Sequence, residues 1–448
     1  VSVNLISFIV IAFFGSSIMV SSAVSNIADG VQIQKVDDSN LKVETVYDGL
    51  EYPSSMTFIG SGDILVTEKD KGTIQRIVNG QKIDKPLLDV PVANENERGL
   101  LGIIFMKKEE GPSYVYLYFT ESNNKTDGND YCPKIISCED GNDPKGNRLY
   151  RYEFDEDNKL KNPQLLLDLP ATPGSDHVGG APVLGPDNNI YLIVGDGSLS
   201  TSQTSNIGNG THPDGRGGVL RIDPNRQLTD THGILRDKGP SNIYYAYGIR
   251  NGFGLDFDPL TGKLWDTENG RDFGDEVNLV EPGFNSGWNK VQGIWTLGKN
   301  GTKGELVSEI PDNLVDFNGK GKYSPPEFTW NKTVGVTALK FLKSDKYGEK
   351  YKNDMFVGDI HNGNVYHFDL NKKRTGLILE GKLADKVADN EKEDSTLVFA
   401  SGFHGITDIE VGPDGYLYLL SFHNTTRGDR HHYYGTGGIY RIVPVDNR

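Results

Sequence analysis

From about residue 41 onward, apolar positions recur at a spacing of two, in short runs broken by Gly, Pro, Asp and Asn. A period of two belongs to a β-strand, and these breakers supply the backbone angles that tight turns need. No stretch keeps a 3.6-residue period for long, so no long helix is predicted. One unit repeats: an apolar run, a Gly/Pro/Asp turn and a second apolar run. It reads Met56-Thr-Phe58-Ile-Gly-Ser-Gly-Asp-Ile64-Leu65-Val66, then Val183-Leu184-Gly-Pro-Asp-Asn-Asn-Ile190-Tyr191. It returns as Leu255-Asp-Phe257-Asp-Pro-Leu-Thr-Gly-Lys-Leu264-Trp265 and as Ile409-Glu-Val411-Gly-Pro-Asp-Gly-Tyr-Leu417-Tyr418, with looser copies at 103–116 and 339–356. Several copies continue into a third strand near a glycine, as in Gly218-Val-Leu-Arg-Ile and Gly438-Ile-Tyr-Arg-Ile.

The six anchors Phe58, Phe105, Leu184, Phe257, Phe341 and Val411 stand 47, 79, 73, 84 and 70 residues apart. That is the size of one four-stranded propeller blade with loop insertions. The predicted fold class is all-β: a six-bladed β-propeller of four-stranded blades over residues 41–446. Two sandwiches would not explain a motif that runs from end to end. The strand at 438–442 is expected to close the ring against one near 43–46.

Composition agrees. Of 448 residues, 54 are Gly, 21 Tyr and 19 Phe, against 4 Met, as expected for many turns joining aromatic-rich strands. Hydrophobic residues at 36% exclude wholesale disorder. The formal net charge of −16 argues against nucleic acid as a partner. An anionic ligand would need a metal or a local basic cluster. Residues 5–24 (LISFIVIAFFGSSIMVSSAV) carry no charge and precede a polar stretch. Residues 1–28 are read as a signal peptide, with small residues at Ser21-Ser22-Ala23, or as a membrane anchor, since about 20 residues span a bilayer. Either reading puts the remainder outside the cytoplasm, secreted or tethered. The sequons at Asn124, Asn209, Asn300, Asn331 and Asn424 fit that location.

Cys132 and Cys138 are the two cysteines. They are too few for a Zn site and wrongly spaced for a C-x-x-C motif, so a disulfide pinning a small loop is expected. Their surroundings, 126–146, read as a polar surface loop. Asp127, Asp130, Glu139 and Asp140 there are either solvated or loose oxygen ligands for Ca²⁺. Arg427-Gly428-Asp429 and His431-His432 are read as incidental. No P-loop, G-x-S-x-G, H-E-x-x-H or G-x-G-x-x-G is present.

Candidate chemistry lies in the loops, where propellers place function. Ser175-Asp176-His177-Val-Gly179-Gly180 sets a His beside glycines that permit close backbone approach. Asp196 in Val194-Gly195-Asp196-Gly197 is placed to hold an imidazole in one tautomer. Arg250 and Asn251 head the fourth repeat. Thr267-Glu268-Asn269-Gly270-Arg271-Asp272 and Asp275-Glu276-Val-Asn278 are dense in oxygens suited to a hard cation, or form a turn fixed by Asx hydrogen bonds.

Taken in order, Glu97-Arg-Gly-Leu-Leu-Gly102, Asp176-His-Val-Gly-Gly180, Gly185-Pro-Asp, Gly195-Asp196, Gly248-Ile-Arg-Asn251, Glu268-Asn-Gly270, Asp275-Glu-Val-Asn278 and Gly283-Phe-Asn-Ser-Gly-Trp288 resemble the soluble quinoprotein glucose/sorbosone dehydrogenase family. The resemblance covers about residues 45–445. It implies a six-bladed propeller that binds pyrroloquinoline quinone (PQQ) and Ca²⁺ over the channel. Such an enzyme oxidises an aldose at the anomeric carbon to a lactone and passes electrons to an external acceptor. By the same resemblance His177 is the base, Asp196 its orienting carboxylate, and Arg250 and Asn251 contact the quinone. The carbonyls of Gly270 and Arg271 would coordinate Ca²⁺, with Glu97 and Asp176 on the substrate side. Three positions depart from the pattern: a Gln is Phe253, a Lys is His361 and an Arg is Thr407. His361 and Thr407 are assigned to the cofactor by position, and a tricarboxylate held by fewer cations is held less firmly. Two other readings stay open. One is a non-catalytic carbohydrate- or protein-binding propeller that has lost PQQ. The other is a Ca²⁺-dependent lactonase-type hydrolase using Glu268, Asn269 and Asp275.

Overall fold

The second strand of several repeats is apolar at most positions because both of its faces are covered. In the computed structural model, which describes residues 33–123, 125–128, 144–225, 235, 243–427 and 433–445, strand Ile190–Val194 sends Ile190, Leu192 and Val194 into one core and Tyr191 and Ile193 into another. Strand Asp63–Glu68 sends Ile64 and Val66 one way and Leu65 the other. Alternate side chains leave a strand on opposite faces, so a sheet packed on both sides needs apolar residues throughout. Residues 1–28, Cys132, Cys138, Asp130, Glu139, Asp140 and His431-His432 lie outside the described residues. Among those described, no helix is long and apolar enough to cross a membrane.

The described residues form six sheets of four or more strands and a smaller three-stranded one. In chain order the six begin with strands Pro53–Gly60, Leu100–Met106, Pro182–Leu184, Gly252–Phe257, Val336–Phe341 and Ile406–Val411. Each neighbouring pair shares a core. Leu65 and Leu117 join the first sheet to the second, Tyr118 and Leu192 the second to the third, and Ile193 and Leu255 the third to the fourth. Trp265 and Val357 join the fourth to the fifth, Phe356 and Ile409 the fifth to the sixth, and Leu420 and Met56 the sixth to the first. The six starting strands touch in the same cyclic order. Polar stitches cross these contacts: Lys340 lies 2.9 Å from Glu410 and 3.8 Å from Asp256, and Asp408 accepts from Ser55 Oγ at 3.0 Å and Met56 N at 2.8 Å.

The cycle is sealed by antiparallel pairing of Leu41–Glu51 with Tyr433–Pro444, which places Val43 opposite Ile442 and Thr45 opposite Tyr440. Strand number varies more than the repeat suggested. The second and sixth sheets have four strands, the first, fourth and fifth have five, and the third has six. Short segments add at outer edges, where backbone groups would otherwise lack partners; Phe284–Asn285 and Lys322–Tyr323 extend the third sheet in parallel. Leu184, expected as a core anchor, is 38% exposed, because its strand is only three residues long and ends there.

The Gly-Pro-Asp turn recurs because it is one part of a three-part unit. Asp187 accepts from Tyr191 at 3.1 Å and pairs with Arg221 at 2.6 Å. Asp414 does the same with Tyr418 at 2.8 Å and Arg441 at 3.1 Å. A Cβ on Gly185 or Gly412 would lie 2.6 or 2.5 Å from that tyrosine ring. The turn, the tyrosine of the second strand and the arginine of the third therefore hold each other.

Ile439 is fully buried on the closing strand, between the sixth and first sheets. Ile439→Ala should cost about 2–5 kcal/mol, measured from the urea midpoint at constant slope. A loss below about 1 kcal/mol would mean that the closing strand is peripheral to stability.

Candidate functional site

Antiparallel pairing puts the start of each first strand beside the end of each second strand, and the polar loop residues gather there. Asp176 to Gly180 precede Pro182–Leu184, and Gly195-Asp196 follow Ile190–Val194. Arg250-Asn251 precede Gly252–Phe257, and Asn269 to Arg271 follow Leu264–Glu268. His361 follows Met355–Asp359, and Thr407 opens Ile406–Val411. A cavity of about 470 Å³ collects them: Glu97, Asp176, His177, Arg250, Asn251, Gly270, Arg271, His361 and Thr407 all line it.

Asp196 stands behind His177 rather than in this wall. Its Oδ1 lies 2.6 Å from His177 Nδ1 and accepts from Ser198 N at 2.9 Å; Oδ2 accepts from Trp288 Nε1 at 2.8 Å and Ser200 Oγ at 3.0 Å. Burial pushes the Asp196 carboxyl up, but the bonds from His177, Trp288 and Ser200 outweigh it and hold the pKa below its ordinary value. The carboxylate stays ionised and fixes the imidazole. Gly195 lets this happen: a Cβ there would sit 2.6 Å from the His177 carbonyl oxygen and 2.7 Å from that of Arg250. His177 itself has φ of 59°, a strained left-handed conformation.

Glu97 joins the two candidate loops. It accepts from His177 N at 2.6 Å and from Asn251 Nδ2 at 3.0 Å, and burial raises its pKa. Arg250 donates its backbone N–H to Glu268 Oε1 at 2.6 Å and its guanidinium to the Asn269 carbonyl at 2.9 Å. Burial lowers the Arg250 pKa from its usual value, and Asp196 and Glu97 oppose that shift. Asp275 accepts from Gly270 N at 2.8 Å, Val334 N at 2.8 Å and Gly335 N at 2.7 Å, and so shapes the cation-candidate loop. A Cβ on Gly270 would fall on the Phe273 carbonyl, so only glycine fits there.

Lys69 and Tyr52 were not foreseen. Lys69 lines the cavity at the end of the second strand of the first sheet, the position Asn269 holds in the fourth. Its Nζ contacts Asp70 at 2.5 Å and the carbonyls of Asn96 and Arg98 at 3.0 and 2.8 Å, and lies 4.5 Å over the Tyr52 ring. Aligning the repeats by strand end would have found it. Of the residues offered for a hydrolytic metal, Glu268 accepts from Arg250 N and Ser286 Oγ, Asp275 accepts from three backbone N–H groups, and Asn269 lines the cavity. Phe253 takes up part of the floor against Gly180, and His361 and Thr407 reach the wall, Thr407 donating to the Leu420 carbonyl at 3.3 Å. Asn251 Oδ1 and Asn269 Oδ1, both buried beside the cavity, have no hydrogen-bond donor.

A family model described as Glucose / Sorbosone dehydrogenase matches residues 50–428. Aldose sugar dehydrogenase YliI of Escherichia coli is 23% identical over 86% of this chain and 90% of its own. Quinoprotein glucose dehydrogenase B of Acinetobacter calcoaceticus is 27% identical over 58% of this chain and 55% of its own. The solved PQQ-bound form of aldose sugar dehydrogenase from Streptomyces coelicolor matches with a TM-score of 0.58 at 22% identity, covering 90% of this chain and 99% of that one. This last likeness is one of fold.

Beneath the cavity, Ser286 Oγ lies 2.6 Å from Glu268 Oε2 and 3.1 Å from Glu276 Oε2. One hydroxyl proton cannot serve both carboxylates. Burial raises the Glu268 pKa from 4.5 to about 7. A group whose folded pKa is raised contributes its full stability below the unfolded value and loses it as pH climbs to the folded one, here between 4.5 and about 7. Glu268→Gln removes that loss. In a chelator, its melting temperature should rise relative to that of the unmodified protein from pH 4.5 to 7. A difference that stays flat with pH would contradict the assignment.

Proposed function

Because the chain belongs to the glucose/sorbosone dehydrogenase family, we propose that it is a quinoprotein dehydrogenase. In this reading it oxidises an aldose at the anomeric carbon to the lactone, with PQQ and Ca²⁺ in the large cavity. The observation that carries the reading is the ionised Asp196 locked onto His177 at the edge of a cavity lined by Lys69, Arg250 and Arg271. The six principal sheets are read as the blades of a six-bladed propeller over 41–446. Residues 1–28 are read as the signal or anchor that places the enzyme outside the cytoplasm.

The donor set suits both groups. Lys69, Arg250 and Arg271 line the cavity together with the carboxylates Glu97, Asp176 and Asp275, so in a chain of net charge −16 an anionic cofactor would rely on these three cations and on the Ca²⁺ for local compensation. The glycine-only bend at Gly270 exposes backbone carbonyls, and the side-chain oxygens of Asn251 and Asn269 lack donors; oxygens of both kinds are what a hard cation takes. Arg250, Asn251, His361 and Thr407 would hold the quinone, and the Gly270 and Arg271 carbonyls the Ca²⁺. When bound, the two together supply the two-electron acceptor that a polypeptide lacks.

The chain's own residues do the rest. With Nδ1–H donated to Asp196, Nε2 of His177 is the nitrogen left to take the proton of the C1 hydroxyl. Asp196 stabilises the imidazolium as it forms. Glu97 and Asp176 accept sugar hydroxyls, and Phe253 lends an apolar floor. An external electron acceptor completes the cycle.

His177→Ala should lower dye-linked aldose oxidation by about 10²–10⁴ while calorimetry still detects PQQ and Ca²⁺ binding. Arg250→Ala should weaken both PQQ affinity and turnover. If the unmodified protein binds no PQQ calorimetrically at saturating Ca²⁺, the dehydrogenase reading falls and the binding-module reading replaces it.

A further inference from the structure

Three of the four tryptophans pack into apolar cores. Trp265 and Trp330 lie between the fourth and fifth sheets, and Trp295 lies in a smaller cluster with Phe273. Trp288 is the exception. It is only 9% exposed, yet it belongs to none of the apolar cores found among the described residues. Its surroundings are those of the proposed site. A second cavity of about 300 Å³ lies beside the first, and Trp288 lines it together with His177, Asp196 and Arg250.

Two contacts tie the indole to both halves of the site. Its Nε1 donates to Asp196 Oδ2 at 2.8 Å, and the Arg250 guanidinium carbon lies 5.4 Å from its ring centroid. The first is a charge-assisted bond, which favours the ionised carboxylate. The second sets a cation against an aromatic face, an attraction that strengthens away from water. Ser200 also donates to Oδ2, at 3.0 Å, but a hydroxyl rotates about its own bond, whereas an indole N–H points where the ring points.

The ring is itself held firmly. The Trp288 N–H donates to the Gly248 carbonyl at 3.1 Å, and the Trp288 carbonyl accepts from Asn206 Nδ2 at 2.6 Å. Asn206 and Asn285 exchange amide hydrogen bonds at 3.0 and 2.8 Å, and Asn206 is fully buried. Gly248 stands two residues before Arg250, so the loop that carries the arginine also anchors the tryptophan.

The geometry points to Trp288 as a positioning residue with two separable roles. Its N–H fixes the Asp196 carboxylate, and through it the single tautomer of His177 that leaves Nε2 free. Its ring supports the Arg250 guanidinium at the cofactor cavity. One side chain thereby keeps the proton acceptor and the cofactor-binding cation in register. The consequence for turnover rests on the dehydrogenase reading; the placement of His177 and Arg250 does not.

Two variants separate the roles: Trp288→Phe keeps a ring and removes the N–H, and Trp288→Leu removes both. In alkaline buffer, where the imidazoles are neutral, ¹⁵N NMR of His177 (identified by its loss in His177→Gln) should show one tautomer in the unmodified protein. In both variants the share of the other tautomer should rise about threefold or more. Calorimetric PQQ affinity should stay within about twofold in Trp288→Phe and fall about fivefold or more in Trp288→Leu. With PQQ and Ca²⁺ present, kcat for glucose should fall about tenfold in Trp288→Phe with KM within about twofold. A further measurement needs no Trp288 variant to fold: Asp196→Asn should move one of the four indole N–H signals upfield and leave the other three in place. The inference is overturned if Trp288→Phe leaves the tautomer ratio unchanged, if it loses as much PQQ affinity as Trp288→Leu, or if no indole signal responds to Asp196→Asn. If the unmodified protein binds no PQQ or oxidises no sugar, the dehydrogenase reading falls, and the tautomer and indole signals alone decide the role of Trp288.

Discussion

Every principal sheet buries both faces against its two neighbours, so a sheet lacking a neighbour would leave an apolar face in water. Pairing of Leu41–Glu51 with Tyr433–Pro444 removes that exposure by making residues near the two ends of the described chain part of one sheet. The six shared cores then stand in a cycle in which each is completed only when all are. Burial of apolar area drives this, but the antiparallel ladder decides which edges meet. The result is a rigid frame whose loops need not contribute to the cores and are free to carry polar groups.

That freedom is used at one end of the strands. Groups that would be costly to bury singly are buried there in mutually satisfying sets. Asp196 is tolerated because four donors converge on it, and Asp275 because three backbone N–H groups do. There are exceptions. Asn251, Asn269 and Gln292 keep a buried acceptor without a donor, and all three border a cavity. Other buried oxygens without a donor, among them those of Asp266 and Asn278, lie away from both cavities, so such oxygens are not peculiar to the cavity walls.

Glycine serves this site by permitting approach rather than flexibility. Gly195 brings two carbonyls, from His177 and Arg250, closer together than a side chain would allow, and these belong to loops some seventy residues apart. His177 and Arg250 are held relative to each other by backbone contact, and Glu97 bridges His177 N and Asn251. Preorganisation of this kind is what proton transfer from a bound hydroxyl to a fixed imidazole requires.

Much was legible in the sequence. The alternating runs, the Gly-Pro-Asp turn with its partner Tyr and Arg, the closing strand, and His177, Asp196, Arg250 and Gly270 all stand in short motifs. Their chemistry depends on neighbours a few residues away or one strand across, and such relations leave a local pattern. What the sequence did not reveal depends on tertiary contacts. Lys69 stands at a strand end that the repeat marks, but nothing in its own neighbourhood shows that it reaches the cavity beside Asn96 and Arg98. The backbone N–H groups that Glu268 and Asp275 accept from are also set by tertiary packing, Arg250 N for the one and Val334 N and Gly335 N for the other. The extra edge strands and the second cavity likewise arise where distant loops meet. A local pattern can specify a strand, a turn or a base with its carboxylate; which side chains face one another across a cavity is decided by contacts between residues far apart in the chain, and only the closed fold sets those.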